Sequence, residues 1–120
     1  MSKADEEYKL RMARNDVARL LDYNYRGKRN RIYLGDNEGE AHSDKKFEIC
    51  KWLIKHKKEF YTEAIFKNGM RADILCLDNC VALEIVDTEK PESIEFKKQK
   101  YPVPVSVCKV DQKFVEEMLL

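Results

Sequence analysis

Three observations on this 120-residue chain predict an α/β fold with a mixed β-sheet and flanking helices. The hydrophobic period is helical up to about Lys57, becomes strand-like from Glu59, and turns helical again at Pro91. Three strand-like runs follow one another across short polar breaks, Asn68-Gly69 and Asp78-Asn79, as in an antiparallel meander. A helix then separates the third strand from a fourth, and such a strand-helix-strand crossover adds a parallel neighbour to the sheet.

Taken in order, residues 5–22 read as an amphipathic helix with Tyr8, Met12, Val17, Leu20 and Leu21 on its apolar side. Residues 24–39 mix glycine, asparagine and basic residues around Arg31-Ile-Tyr-Leu34, a short candidate strand, and Gly35-Asp-Asn-Glu-Gly39 reads as a turn. Ser43 is a suitable N-cap for a helix to about Lys57 that carries Phe47, Ile49, Cys50, Trp52, Leu53 and Ile54. The first strand, Glu59–Phe66, is rich in aromatic and β-branched residues. The second and third occupy 71–77 and 81–87. Pro91 opens a helix to about Tyr101, because proline is tolerated at the first helical position. Val103–Cys108 forms the last strand, and Asp111 caps a C-terminal helix through Phe114, Val115 and Met118. With no linker rich in glycine, serine or proline, residues 1–120 form one domain: an N-terminal helix and basic segment (1–41), an αβββαβ core (42–110) and a C-terminal helix (111–120).

Composition narrows the function classes. Charged residues make up 38% of the chain, yet the net charge is only +1, so no global argument for nucleic-acid binding arises. The distribution is uneven. Residues 1–31 hold nine Lys/Arg against five Asp/Glu, and Tyr23–Tyr33 interleaves Arg26, Lys28, Arg29 and Arg31 with Tyr23, Tyr25 and Tyr33. That stretch is suited to track a phosphate backbone and to stack bases on its rings. Cys50, Cys76, Cys80 and Cys108 form no Cys-x-x-Cys pair and each sits in an apolar run, which reads as reduced core cysteine. No leader-like segment and no apolar run near 18 residues occurs, so an intracellular, cytoplasmic protein is expected, neither secreted nor membrane-bound.

The chemistry concentrates in two runs, Arg71-Ala-Asp73-Ile-Leu-Cys-Leu and Val81-Ala-Leu-Glu84-Ile-Val-Asp87. Each sets an acid in an apolar strand, where a carboxylate must be paired, hydrogen-bonded or bound to metal. If Leu77 pairs with Cys80 across Asp78-Asn79, Asp73 falls opposite Glu84 at roughly 5 Å, where like charges repel. A divalent cation removes that repulsion, and Mg²⁺ or Mn²⁺ takes oxygen ligands of this kind. The plainer alternative leaves both acids at the sheet rim, solvated or paired with Arg71 or a lysine.

The element order over 42–110, with Asp73 on the second strand and Glu84 on the third, resembles the core of the PD-(D/E)XK nuclease superfamily, the restriction endonuclease-like fold. Arg71-Ala-Asp73-Ile is similar to its first acidic motif and Glu84-Ile-Val86 to its E-x-K element. His42-x-x-x-Lys46, Glu84-Ile-Val-Asp-Thr88, Ser93 and Lys97-x-x-x-Tyr101 are together most similar to the CoiA-like branch, in which glutamine commonly takes the lysine's place. Here that place is held by Val86. The resemblance implies Mg²⁺- or Mn²⁺-dependent hydrolysis of DNA phosphodiesters, Asp73 and Glu84 as metal ligands, and a substitute lysine from Lys46, Lys90, Lys97 or Lys98. By analogy it also implies a homodimer. At about 100° per residue, His42 and Lys46 lie in the middle of the apolar arc of their helix, so Lys46 is predicted to approach the acids, while Glu48 falls on the polar side. His42, at the helix start, is placed to contact phosphate or carry a proton. Two rival functions are a nuclease-fold protein that has lost catalysis and binds nucleic acid, which Val86 favours, and a protein-interaction adaptor whose acids pair with Arg71.

Overall fold

The protein is described from a computed structural model covering residues 2–120. Its elements are α1 (Lys3–Ala18), α2 (Glu40–Lys55), β1 (Phe60–Ile65), β2 (Arg71–Cys76), β3 (Val81–Val86), α3 (Pro91–Lys100), β4 (Val105–Lys109) and a short 3₁₀ turn, Glu116–Leu119. The strands form one mixed sheet in the order β1-β2-β3-β4, with β1, β2 and β3 antiparallel and β4 parallel to β3. The predicted α/β class with a mixed sheet is observed, as is the helix, three strands, helix, strand order of residues 42–110. Every residue of β3 is buried, as expected of a central strand covered on both faces.

Two apolar layers sandwich the sheet. Ile49, Cys50 and Leu53 of α2 pack on Phe60, Ile74, Leu83, Ile85 and Cys108, with Phe114 and Leu119 closing that layer. Opposite, Val17 and Leu21 join Ala64, Phe66, Leu75, Leu77, Tyr101 and Val103. In a regular strand Phe60, Ala64 and Phe66 share a face, yet Phe60 lies in one layer and the other two in the second. The alternation breaks at Glu63, which has a left-handed φ of 47° in mid-strand. Such a backbone costs a non-glycine residue about 1–3 kcal/mol and persists where its surroundings hold it.

Several boundaries differ from expectation, each for a local reason. Helix α1 ends at Ala18 because the chain extends to dock on β1: Leu21 bridges Phe66, and the Asp22 N–H donates to the Ile65 carbonyl. Residues 31–34 are not a strand. The Thr62 side chain ties them instead, its hydroxyl donating to the Arg31 carbonyl and accepting from the Tyr33 N–H, both at 2.8 Å. Helix α2 starts a turn early, with Gly39 rather than Ser43 at its N-cap, which puts His42 inside the first turn. The β2–β3 connection is a four-residue loop, 77–80, with Cys80 left-handed at φ 51°. It gives the same register as the predicted two-residue loop, and it leaves Cys80 exposed rather than in the core. Asp111 caps no helix, and only the 3₁₀ turn remains of the expected C-terminal helix. Helix α3 buries no residue and stands off the sheet instead of covering it.

Candidate active site

The β2–β3 ladder pairs Cys76 with Val81, Leu75 with Ala82 and Ile74 with Leu83, and goes no further. One step on, Asp73 would face Glu84, the register expected from the sequence. There the carboxylates turn into the seam between the strands. Glu84 Oε2 accepts from the Asp73 N–H and Asp73 Oδ2 from the Ile85 N–H, each at 2.8 Å. Each acid thus satisfies a backbone donor on the opposing strand, which stabilises a buried carboxylate and fixes its direction.

Glu84 is almost wholly buried, and desolvation, reinforced by the Asp73 charge, pushes its pKa up to about 7. Lys97 Nζ, at the end of α3, lies 3.1 Å from Glu84 Oε1 and 2.8 Å from Glu89 Oε2. The Tyr101 hydroxyl sits 2.6 Å from the Arg71 carbonyl oxygen and 2.7 Å from Glu84 Oε1. It has one proton. If that proton goes to the carbonyl, Glu84 must donate its own, which a pKa near neutrality permits.

On the other side, His42 bridges two acids, with Nε2 3.3 Å from Asp73 Oδ2 and Nδ1 hydrogen-bonded to Glu38. The bond to Asp73, with Glu38 adding, raises the imidazole pKa to about 9, so the ring is a cation at neutral pH. Lys46 does point inward and is fully buried, as the helical arc predicts. Its ammonium does not meet the Asp73–Glu84 pair. It donates to the Tyr33 carbonyl at 3.0 Å and pairs with Glu38 and Glu63 at 3.0 and 3.3 Å. The lysine beside the acids is therefore Lys97, a correction to the expected approach of Lys46.

Glu38 was missed as a site residue. Burial opposes its ionisation, but the Gly35 N–H, Lys46 and His42 together hold its carboxyl below the usual range. Its signal is a spacing of four, Glu38, His42, Lys46, obscured because the run 35–39 reads as a turn. Glu48 instead pairs with Lys45 at 3.2 Å. A cavity of about 290 Å³ opens beside these groups, lined by Glu38, His42, Glu63, Arg71, Asp73 and Asp87 among others. Arg71 pairs with Glu63 at 3.7 Å, not with Asp73 or Glu84, so the adaptor's expected ion pair is absent.

The basic segment divides. Arg26, Lys28 and Arg31 are exposed and form no ion pair among the described residues. Arg29 is held within the fold: it pairs with Glu59 at 2.9 Å and lies over the Tyr61 ring. Tyr25 is half-buried, with its hydroxyl donating to the Thr62 carbonyl at 2.6 Å.

Among the described residues, no group of three or more His, Cys, Asp or Glu side chains is set to hold a metal. Asp73, which lines the cavity, with Glu84 buried beside it, nevertheless suits Mg²⁺, which keeps several waters and takes one or two protein acids. Asp73 Oδ1 accepts no hydrogen bond among the described residues, while Asp73 Oδ2 and both Glu84 oxygens do. No helix among the described residues is long and apolar enough to cross a membrane. Comparison with protein-family models, with curated proteins and with solved structures finds no match for this chain.

Proposed function

We propose that this protein is a metal-dependent nuclease of the PD-(D/E)XK type that hydrolyses DNA phosphodiester bonds, with Asp73 and Glu84 as the metal-holding pair. The observation that carries the proposal is Lys97, whose ammonium lies 3.1 Å from Glu84 and supplies, from a neighbouring helix, the cation that Val86 cannot. When bound, Mg²⁺ or Mn²⁺ would polarise a phosphate oxygen and activate water. Asp73 and Glu84 are aimed by the backbone donors whose hydrogen bonds they accept; Asp73 would offer Oδ1 to a cation, and Glu84 would exchange its Lys97 or Tyr101 contact on Oε1 for it. Lys97 offsets charge developing on the phosphate, in the manner of a preorganised donor. His42, cationic and adjacent to Asp73, is placed to bind phosphate or to hold a proton for the leaving oxygen.

Val86 supports a second reading, a nuclease fold that binds nucleic acid without cutting it. Its side chain is apolar and buried in the sheet. Incubation of labelled DNA with Mg²⁺, Mn²⁺ or EDTA separates the two. The nuclease reading predicts divalent-dependent cleavage, abolished by Asp73→Asn and by Glu84→Gln in proteins of unchanged circular dichroism. Lys97→Met should slow it roughly 10²–10³-fold, the usual loss for one preorganised charge-stabilising group. Binding of DNA without cleavage in either metal would favour the second reading.

A further inference from the structure

Beside the acidic cavity lies a second one of about 310 Å³, lined by Tyr25, Arg26, Gly27, Tyr33, Glu63 and Ile65 among others. The two share Glu63 as a common wall. The second differs chemically from the first, with two aromatic rings, one aliphatic wall and an arginine beside that acid.

Both rings are fixed in advance. Tyr25 packs edge-on against Tyr61, with centroids 5.7 Å apart at 82°, and its hydroxyl is tied to the Thr62 carbonyl. The backbone passes so close to this ring that a Cβ at Gly27 would lie 1.9 Å from the hydroxyl oxygen, so only glycine fits there. Tyr33 is held at both ends: its N–H donates to Thr62 Oγ1 at 2.8 Å, and its hydroxyl accepts from the Lys28 N–H at 3.1 Å. Fixed rings spare a ligand the cost of ordering them.

We propose that this cleft seats an unpaired base of single-stranded DNA, with the adjoining phosphates running past Arg26 and Lys28 toward Asp73. The inference rests on the nuclease reading for the direction of the strand, and it names the substrate form. The size suits a small planar ligand, at the lower end of the roughly 300–1,000 Å³ of small-molecule sites. Exposed cations without acidic partners beside aromatic rings are the recognition chemistry of single strands, where ring faces take bases and cations take the backbone. A base stacked within a duplex offers only its edges in the grooves and cannot lay a face on Tyr33. The cleft therefore selects unpaired DNA.

The test is fluorescence anisotropy of the full chain in EDTA, with a short labelled oligothymidylate and a blunt duplex of equal length. The single strand should bind about tenfold more tightly. Tyr33→Ala should lower single-strand affinity about tenfold and leave duplex affinity unchanged, whereas Tyr33→Phe, which keeps the ring, should bind as the parent does. Equal affinity for both DNAs, or a Tyr33→Ala protein that loses neither or loses both equally, would overturn the cleft. Cleavage is scored separately in Mg²⁺ and Mn²⁺. Its absence, with the single-strand preference and Tyr33 dependence intact, ends the nuclease reading and supports the cleft.

Discussion

A lysine whose ammonium is wholly buried must find its counter-charges inside the fold, and Lys46 finds them in Glu38 and Glu63. Lys46→Met would leave Glu38 to His42 alone, Glu63 to Arg71 alone and the Tyr33 carbonyl without its donor, a change expected to cost about 1–3 kcal/mol. Urea unfolding should show a loss of that size, and an unchanged midpoint would mean the ammonium is not structural. Asp78 makes a second testable pair. Arg14 grips it with two nitrogens at 2.9 and 2.8 Å, and the Glu59 N–H donates at 2.8 Å, so its pKa is held down even though burial opposes ionisation. A depressed acid stabilises the fold fully above its unfolded pKa of about 3.9 and loses that contribution as pH falls through the folded value. Asp78→Asn should therefore lower stability at neutral pH and narrow its difference from the parent below about pH 4. The inward direction of Lys46 is legible in the sequence because helical periodicity fixes it. Its partners are not, since Glu63 comes from a strand and Glu38 from a run without periodicity.

At the scale of elements, helix α2 ends in a Schellman arrangement in which the Lys57 N–H donates to the Ile54 carbonyl and the Lys58 N–H to that of Leu53. Lys57 occupies the left-handed position, φ 58°, that glycine fills most easily. Lys57→Gly should stabilise the protein by about 1 kcal/mol, measured by thermal or urea unfolding, because the Cβ penalty is relieved at an exposed site. A destabilised variant would show that the lysine side chain matters there. The strands and their order were readable from period and turn residues. The β2–β3 register was too, since two- and four-residue loops centred on Asp78-Asn79 give the same pairing. Residues 24–39 resisted for a physical reason: their backbone groups bond to side chains, Thr62 and Lys46 among them, and such bonds impose no repeat. The C-terminal segment carried helical spacing but is held by packing, with Phe114 and Leu119 pinned in the α2 layer.

For the whole molecule, a mixed sheet with a seam opened by two acids gathers Asp73, Glu84, His42 and Lys97, with Asp73 and His42 lining the acidic cavity and the aromatic cleft sharing its Glu63 wall. The acids oppose one another across the strands, and the fold meets that repulsion with a raised pKa on Glu84, a cationic His42 and Lys97. A divalent cation would do the same with its own charge. Crystals grown with Mn²⁺ and measured for anomalous scattering test this most directly. A shared cation requires a peak within bonding distance of both Asp73 and Glu84, lost in the Asp73→Asn protein. A peak elsewhere, or none at saturating Mn²⁺, would contradict it.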